Sequence, residues 1–201
     1  VPATNNGDGT WTLPDGALSP LVDGVYDVVA RATDAAGNSA VDGTANELTI
    51  NSQAPTVTVT NLATNDRTPA LSGTVDDAAA TITVTVGSQT GLSATNGGAG
   101  TWTLADNTLS SLSDGTYNVI VTAVDLQGNS ATDTTTDELS IDATAPVVAV
   151  ATLLTNDNRP ALSGTVDDAT ATVRVAVNGE TNLAALNNGD GTWTLADDTI
   201  A

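Results

Sequence analysis

The chain repeats itself, and the length of the repeat limits what it can fold into. The pentapeptide Gly-Thr-Trp-Thr-Leu recurs around Trp11, Trp102 and Trp193, at spacings of 91 and 91 residues. Aligned at that offset without gaps, residues 53–110 match residues 144–201 at 35 of 58 positions, and residues 1–52 match residues 92–143 at 28 of 52. A solenoid repeat runs to about 20–50 residues, so a unit of 91 predicts tandem domains, each near the usual size of a small one. Asn51-Ser-Gln-Ala-Pro55 and Asp142-Ala-Thr-Ala-Pro146 read as linkers, since proline cannot donate to a central sheet ladder. This frame gives a complete unit at 53–143, the C-terminal part of a unit at 1–52 and the N-terminal part of another at 144–201. The expectation is a window from a longer periodic array. The two end pieces overlap in phase by 19 residues and together hold all the strands of one unit. Each alone leaves open sheet edges, so head-to-tail contacts between neighbouring molecules are an expected mode of association.

Within the complete unit, apolar residues alternate with period 2 in short runs, the pattern of half-buried strands. The runs are Val57/Val59, Leu71/Gly73/Val75, Ile82/Val84/Val86, Trp102/Leu104, Tyr117/Val119/Val121/Ala123 and Leu139/Ile141, with a weaker seventh near Leu92–Thr95. Turn dipeptides separate them: Asn-Asp at 65–66, Asp-Asp at 76–77, Gly-Gly at 97–98, Asp-Gly at 114–115 and Gly-Asn at 128–129. No segment has helical periodicity. Some seven strands with regular turns predict an all-β, antiparallel β-sandwich of immunoglobulin-like type. Leu112-Ser-Asp-Gly-Thr-Tyr117 sharpens this, because an Asp-Gly turn just before a tyrosine at the start of the penultimate strand is the tyrosine-corner pattern, and Val22-Asp-Gly-Val-Tyr26 repeats it. All three tryptophans are expected to be core anchors rather than glycan-stacking platforms.

Charge and missing residue types exclude most chemistries. The chain carries 24 acidic and 4 basic groups, a formal net charge of -20. It has no lysine, and its only cations are Arg31, Arg67, Arg159 and Arg174, which argues against a nucleic-acid partner. The same charge argues against an anionic membrane surface, and no apolar run of 18 residues exists to span a bilayer. With neither His nor Cys, histidine-based triads, thiolate nucleophiles, disulfides and zinc sites built on those ligands are ruled out. Catalysis by paired carboxylates would need a cleft holding a carboxyl of raised pKa, and nothing in the sequence points to one. The expectation is a protein that is not an enzyme.

Carboxylates, amides and hydroxyls remain, and an all-oxygen donor set suits Ca²⁺. In this sandwich each junction joins the lower end of one unit to the upper turns of the next. At the second junction the candidate ligands are Asp66, Asp114 and Asp142 from the complete unit with Asp167 and Asp168 from the following one. At the first they are Asp23 and Asn51, then Asp76, Asp77, Asp125 and Asn129. Asn51 stands where the second linker has Asp142, which weakens that site. Converging carboxylates repel unless a cation sits among them, so Ca²⁺ binding is expected to order the linkers and stiffen the array. Asp34-Ala-Ala-Gly-Asn38 and Asp125-Leu-Gln-Gly-Asn129 read equally as hairpin turns in which Asp closes its own loop. Asp114-Gly115 reads first as a turn, whereas the pair Asp76-Asp77, repeated at Asp167-Asp168, reads first as ligands. Glu47 and Glu138 are further candidates. Asp8 and Asp190 read as turn residues, because Ala99 takes their place in the middle copy.

The runs TNDxxPALSGTVDDATATV, NNGDGTWTLAD, LSDGTYNVxVTAxDxxGN and TDELxIDxTAP together resemble the immunoglobulin-like extender repeats of the giant calcium-dependent, RTX-type adhesins of Gram-negative bacteria, the ice-binding adhesin group among them. The resemblance covers the whole chain. It implies type I secretion, an extracellular place at the bacterial cell surface, Ca²⁺ at the domain junctions and a role in projecting a distal binding domain. Asn51 departs from the linker Asp usual in that family, and the calcium β-roll motif GGxGxD is absent. The alternative is that the repeat itself binds a glycan, ice or another cell. Thr56, Thr58 and Thr60 form a short T-x-T-x-T row, but the next unit has Val147, Ala149 and Ala151 there, and the β-propensity of Thr accounts for the row.

Overall fold

A computed structural model describes residues 1–200. Its strands fall into two compact units, Val1–Asp142 and Ala143–Ala201. In the first unit the predicted sandwich is built over residues 57–141. One sheet runs, neighbour to neighbour, through Ser130–Thr132, Val119–Val124, Thr81–Val86, Gln89–Asn96, Thr101–Leu104, Leu71–Val75 and Val57–Val59, every pair antiparallel. The other sheet is Gly115–Tyr117, Leu139–Ile141 and Leu62–Thr64, with the last pair parallel. Side chains of alternating residues enter the core: Ile82, Val84 and Val86 from one strand, Val119, Val121 and Ala123 from its partner, Leu139 and Ile141 from the second sheet. The weak seventh run near Leu92–Thr95 is an eight-residue strand, Gln89–Asn96, which pairs with Thr81–Val86 and then with Thr101–Leu104. Two short strands carried no apolar run long enough to reveal them, Leu62–Thr64 and Ser130–Thr132.

The tyrosine corner is present. The Tyr117 hydroxyl donates to the Ser113 carbonyl at 2.9 Å, and Tyr26 donates to the Val22 carbonyl at 2.8 Å. Trp102 is fully buried and its indole Nε1 donates to the Thr58 carbonyl at 2.8 Å. That bond depends on Gly73, which lies opposite Trp102 and Val59 in the ladders. A Cβ at Gly73 would stand 1.9 Å from the Thr58 carbonyl oxygen and 2.6 Å from the indole nitrogen. Glycine is therefore required there for close approach, although its backbone is an ordinary strand.

In the second unit the strands Val148–Val150, Leu162–Val166, Thr192–Leu195, Glu180–Asn187 and Val173–Val177 form one sheet in that order. Trp193 is buried, donates to the Ala149 carbonyl at 3.0 Å and faces Gly164, where a Cβ would stand 1.9 Å from that oxygen. Residues 1–52 differ. Their strands make three two-stranded pairs, Thr4–Asn5 with Trp11–Thr12, Gly24–Tyr26 with Leu48–Ile50, and Arg31–Thr33 with Ser39–Val41. Trp11 is 50% exposed, so the expectation of three core tryptophans holds for two. The reason is that the Trp11 sheet has only two strands, and no third strand lies beside it to cover the ring among the described residues.

Candidate functional site

The Asp-x-x-Gly-Asn segments fold as turns closed by their own side chains. Asp125 N donates to Asn129 O at 3.0 Å and Gly128 N to Asp125 O at 3.2 Å, while Gly128 takes a φ of 89°, a left-handed geometry that suits glycine. The Asp125 carboxylate accepts from Gln127 N at 2.9 Å, Asn129 N at 2.8 Å and Asn129 Nδ2 at 2.8 Å. Asp34 makes the same turn, accepting from Ala36 N, Asn38 N and Asn38 Nδ2. In both, the amide of the following Asn, at position 129 or 38, is the main reason that the carboxyl titrates below its ordinary value.

What separates the two turns is a partner from far away in the chain. Asn51 Nδ2 donates to Asp125 Oδ2 at 3.0 Å and lies 3.3 Å from Gln127 Oε1, and Asn129 Nδ2 donates to the Asn51 carbonyl at 3.0 Å. Asp125 is consequently 7% exposed, one of two buried acidic residues among those described. The linker is pinned on its other side as well. Ser52 donates to Asp23 Oδ1 through both its backbone N at 3.0 Å and its hydroxyl at 2.8 Å. Asn51, Gln53, Asp76, Asp77 and Gln127 line a shallow open cleft against Pro55.

In the adjacent Asp pairs, expected first as ligands, the first carboxylate accepts from a residue 20 positions earlier and the second from its own turn. Asp76 accepts from Thr56 N at 2.7 Å while its own N donates to Thr56 O, and Asp77 accepts from Ala79 N at 2.8 Å. Asp167 repeats the first arrangement with Val147, and Asp168 accepts from Thr170 N and Oγ1. The Thr56 hydrogen bond holds the Asp76 carboxyl below its ordinary value, and the Thr170 hydroxyl does the same for Asp168. Asn96 and Asn187 brace these turns by donating through Nδ2 to the carbonyls of Asp77 and Ala80, and of Asp168 and Ala171. Asp8 and Asp190 close turns onto Thr10 and Thr192, as expected.

At the opposite end of the sandwich the register places Asp66, Asp114 and Asp142 near one another. Ile141 pairs with both Gly115 and Thr64, and Asp142 N donates to Thr64 O at 3.0 Å. Asp66 caps Thr68, and Asp114 is paired with Arg67 at 2.8 Å, the same guanidinium donating to Leu112 O at 2.9 Å. Glu138 is not a junction residue. It is 1% exposed, its Oε2 accepts from Val119 N at 2.9 Å, and its Oε1 has no hydrogen-bond partner. Glu47 makes the corresponding bond to Val28 N at 3.0 Å. Burial pushes the Glu138 carboxyl up, but hydrogen bonding, from Val119 N foremost, outweighs it and leaves the group below its ordinary value.

An all-oxygen site of this kind would suit Ca²⁺. An ionised carboxylate offers about four acceptor positions, and at Asp125 four protein N–H donors occupy them. The residues of the Asn51–Asp125 link therefore do not fit a calcium ion as they stand. Among the described residues, no three His, Cys, Asp or Glu side chains are grouped so as to hold a metal.

Two family models match the chain. Bacterial Ig-like domain matches residues 44–143, and Bacterial Ig-like domain (group 3) matches residues 100–188. Over these residues the chain is similar to bacterial immunoglobulin-like domains, in agreement with the all-β architecture. Domains of this class occur commonly in surface proteins and are typically structural rather than enzymatic. No curated protein matches the chain. No helix among the described residues is long and apolar enough to cross a membrane.

Proposed function

We propose that the chain is part of the extender region of a large bacterial surface adhesin, a spacer whose successive immunoglobulin-like domains carry a distal binding domain away from the cell. The observation that supports this most is the linker at residues 51–55. It is tied down on both sides, by Asp125 and Asn129 after it and by Asp23 before it, rather than left as a free tether. Linker and domain recur in the sequence with the same period. Each unit adds on the order of 40 Å, from strands of about ten residues at roughly 3.3 Å per residue with turns added.

Calcium is the ion-dependent part of this proposal, and its place is the end that carries Asp66, Asp114 and Asp142, although these three do not by themselves form a metal-holding group and Asp114 is already paired with Arg67. Adjacent repeats of the same chain are the partners. The test is small-angle scattering on four tandem copies of residues 53–143, first with Ca²⁺ and then with excess EDTA. A rod that shortens and loosens on chelation supports both parts. A rod unchanged by chelation removes calcium from the proposal, and a profile of freely jointed beads in both conditions overturns the spacer role.

A further inference from the structure

Asn51 and Asp142 stand one period apart, an amide at one linker and a carboxylate at the other. Both polar atoms of the Asn51 side chain are used in a consistent sense. Oδ1 accepts from Gln53 N at 3.1 Å, which fixes the amide so that Nδ2 faces Asp125 Oδ2 at 3.0 Å and Gln127 Oε1 at 3.3 Å. The amide therefore presents the positive end of its dipole to a buried carboxylate. The turn at Asp34 shows what Asp125 has without this contact, namely the same internal bonds on a carboxylate left exposed.

Resting on the spacer reading, we infer that Asn51 makes its linker an ion-independent joint: its amide hydrogens do at Asp125 what a cation would have to do if position 51 were a carboxylate. The reasoning is electrostatic. An aspartate at 51 would place a second anionic oxygen at hydrogen-bond distance from Asp125, and two such groups cannot both stay charged there without a cation or a proton. Asn at the same place neutralises nothing but donates, so the joint closes without an ion. A single side chain thus sets whether a joint in the array answers to calcium, and an array that mixes Asn and Asp linkers has joints of both kinds.

The chain contains no cysteine, so two introduced at exposed strand positions, Val41→Cys and Ile120→Cys, carry spin labels cleanly. The distance distribution between them is measured on the full 201-residue chain in EDTA and in Ca²⁺, for the native residue at 51 and for Asn51→Asp and Asn51→Ala. The expected result is one narrow distribution for Asn51 in both conditions. Asn51→Asp should at least double its width in EDTA and return to the native width in Ca²⁺, and Asn51→Ala should stay broad in both. Three results would each overturn the inference: a native distribution that narrows on adding Ca²⁺, an Asn51→Asp distribution as narrow as native in EDTA, or an Asn51→Ala distribution of native width. The readout is local to residues 1–142, so it is distinct from failure of the spacer role, which the scattering of tandem units reports.

Discussion

Gly73→Ala tests the central packing argument most directly. The added methyl would stand 1.9 Å from the Thr58 carbonyl oxygen and 2.6 Å from Trp102 Nε1, and the first of these atoms is backbone held in a sheet ladder. Either the Val57–Val59 strand moves outward or the indole does, and in both cases the 2.8 Å bond from Trp102 to Thr58 is lost. Overpacking of a core typically costs about 1–3 kcal/mol, and a hydrogen bond contributes about 0.5–1.5 kcal/mol net. The lower conformational entropy of alanine in the unfolded chain returns about 0.4–1 kcal/mol. The net is a destabilisation on the order of 2–3 kcal/mol, which for a domain of this size lowers Tm by roughly 10–20 °C. Thermal unfolding followed by ¹H–¹⁵N spectra is suited to this, because the three indole N–H signals report on three separate places. The Trp102 signal should disappear early, while Trp193 keeps its native midpoint. Gly43→Ala is the control, since nothing lies within 4 Å of a Cβ there and its φ is ordinary. Its effect should stay within about 0.5 kcal/mol. A Gly73→Ala midpoint within a few degrees of native would refute the requirement for close approach.

Two further predictions follow from the buried and hydrogen-bonded carboxylates. Glu138→Ala leaves Val119 N without its acceptor and should cost about 1–3 kcal/mol in urea unfolding, with Glu138→Gln recovering part of the loss because its carbonyl oxygen can accept the same bond. Asp34, Asp76, Asp125 and Asp168 all titrate below the ordinary value, near 3.9 for an unfolded Asp. Their stabilisation is therefore fully present above that unfolded value and is lost as pH falls through the lower folded values. With no histidine in the chain, urea midpoints should be flat from about pH 5 to pH 8 and drop below about pH 4. A marked fall between pH 7 and pH 5 would contradict this assignment.

The strands of the sandwich were legible because burial on one face forces period-2 alternation, and Val57–Val59, Thr81–Val86 and Leu139–Ile141 each show it over few residues. The repeat, the tyrosine corners and the turn at each Asp-x-x-Gly-Asn were legible for a related reason: local backbone geometry selects Gly, Asn, Asp and Tyr at fixed spacing. The destinations of the other carboxylates were not legible. Asp76-Asp77 read first as ligands, yet Asp77 accepts from Ala79 N in its own turn and Asp76 from Thr56 N, a bond that exists only once the strand pairing brings Thr56 into reach. Glu138 was visible only as a further candidate ligand, repeated at Glu47, and not as a buried acceptor. Its Oε2 takes the Val119 N–H where the chain passes from Gly115–Tyr117 to Val119–Val124, a contact 19 positions away that only the fold creates. The sequence by itself determined the period, the all-β alternation and the oxygen-only chemistry of this protein, since these depend on residue type and local spacing. The sequence also put Asn51 and Asp125, 74 positions apart, at one junction, but only the tertiary structure decided that they bond directly with the Asn51 amide hydrogens leading, because the sense of a hydrogen bond depends on what else the same side chain must satisfy.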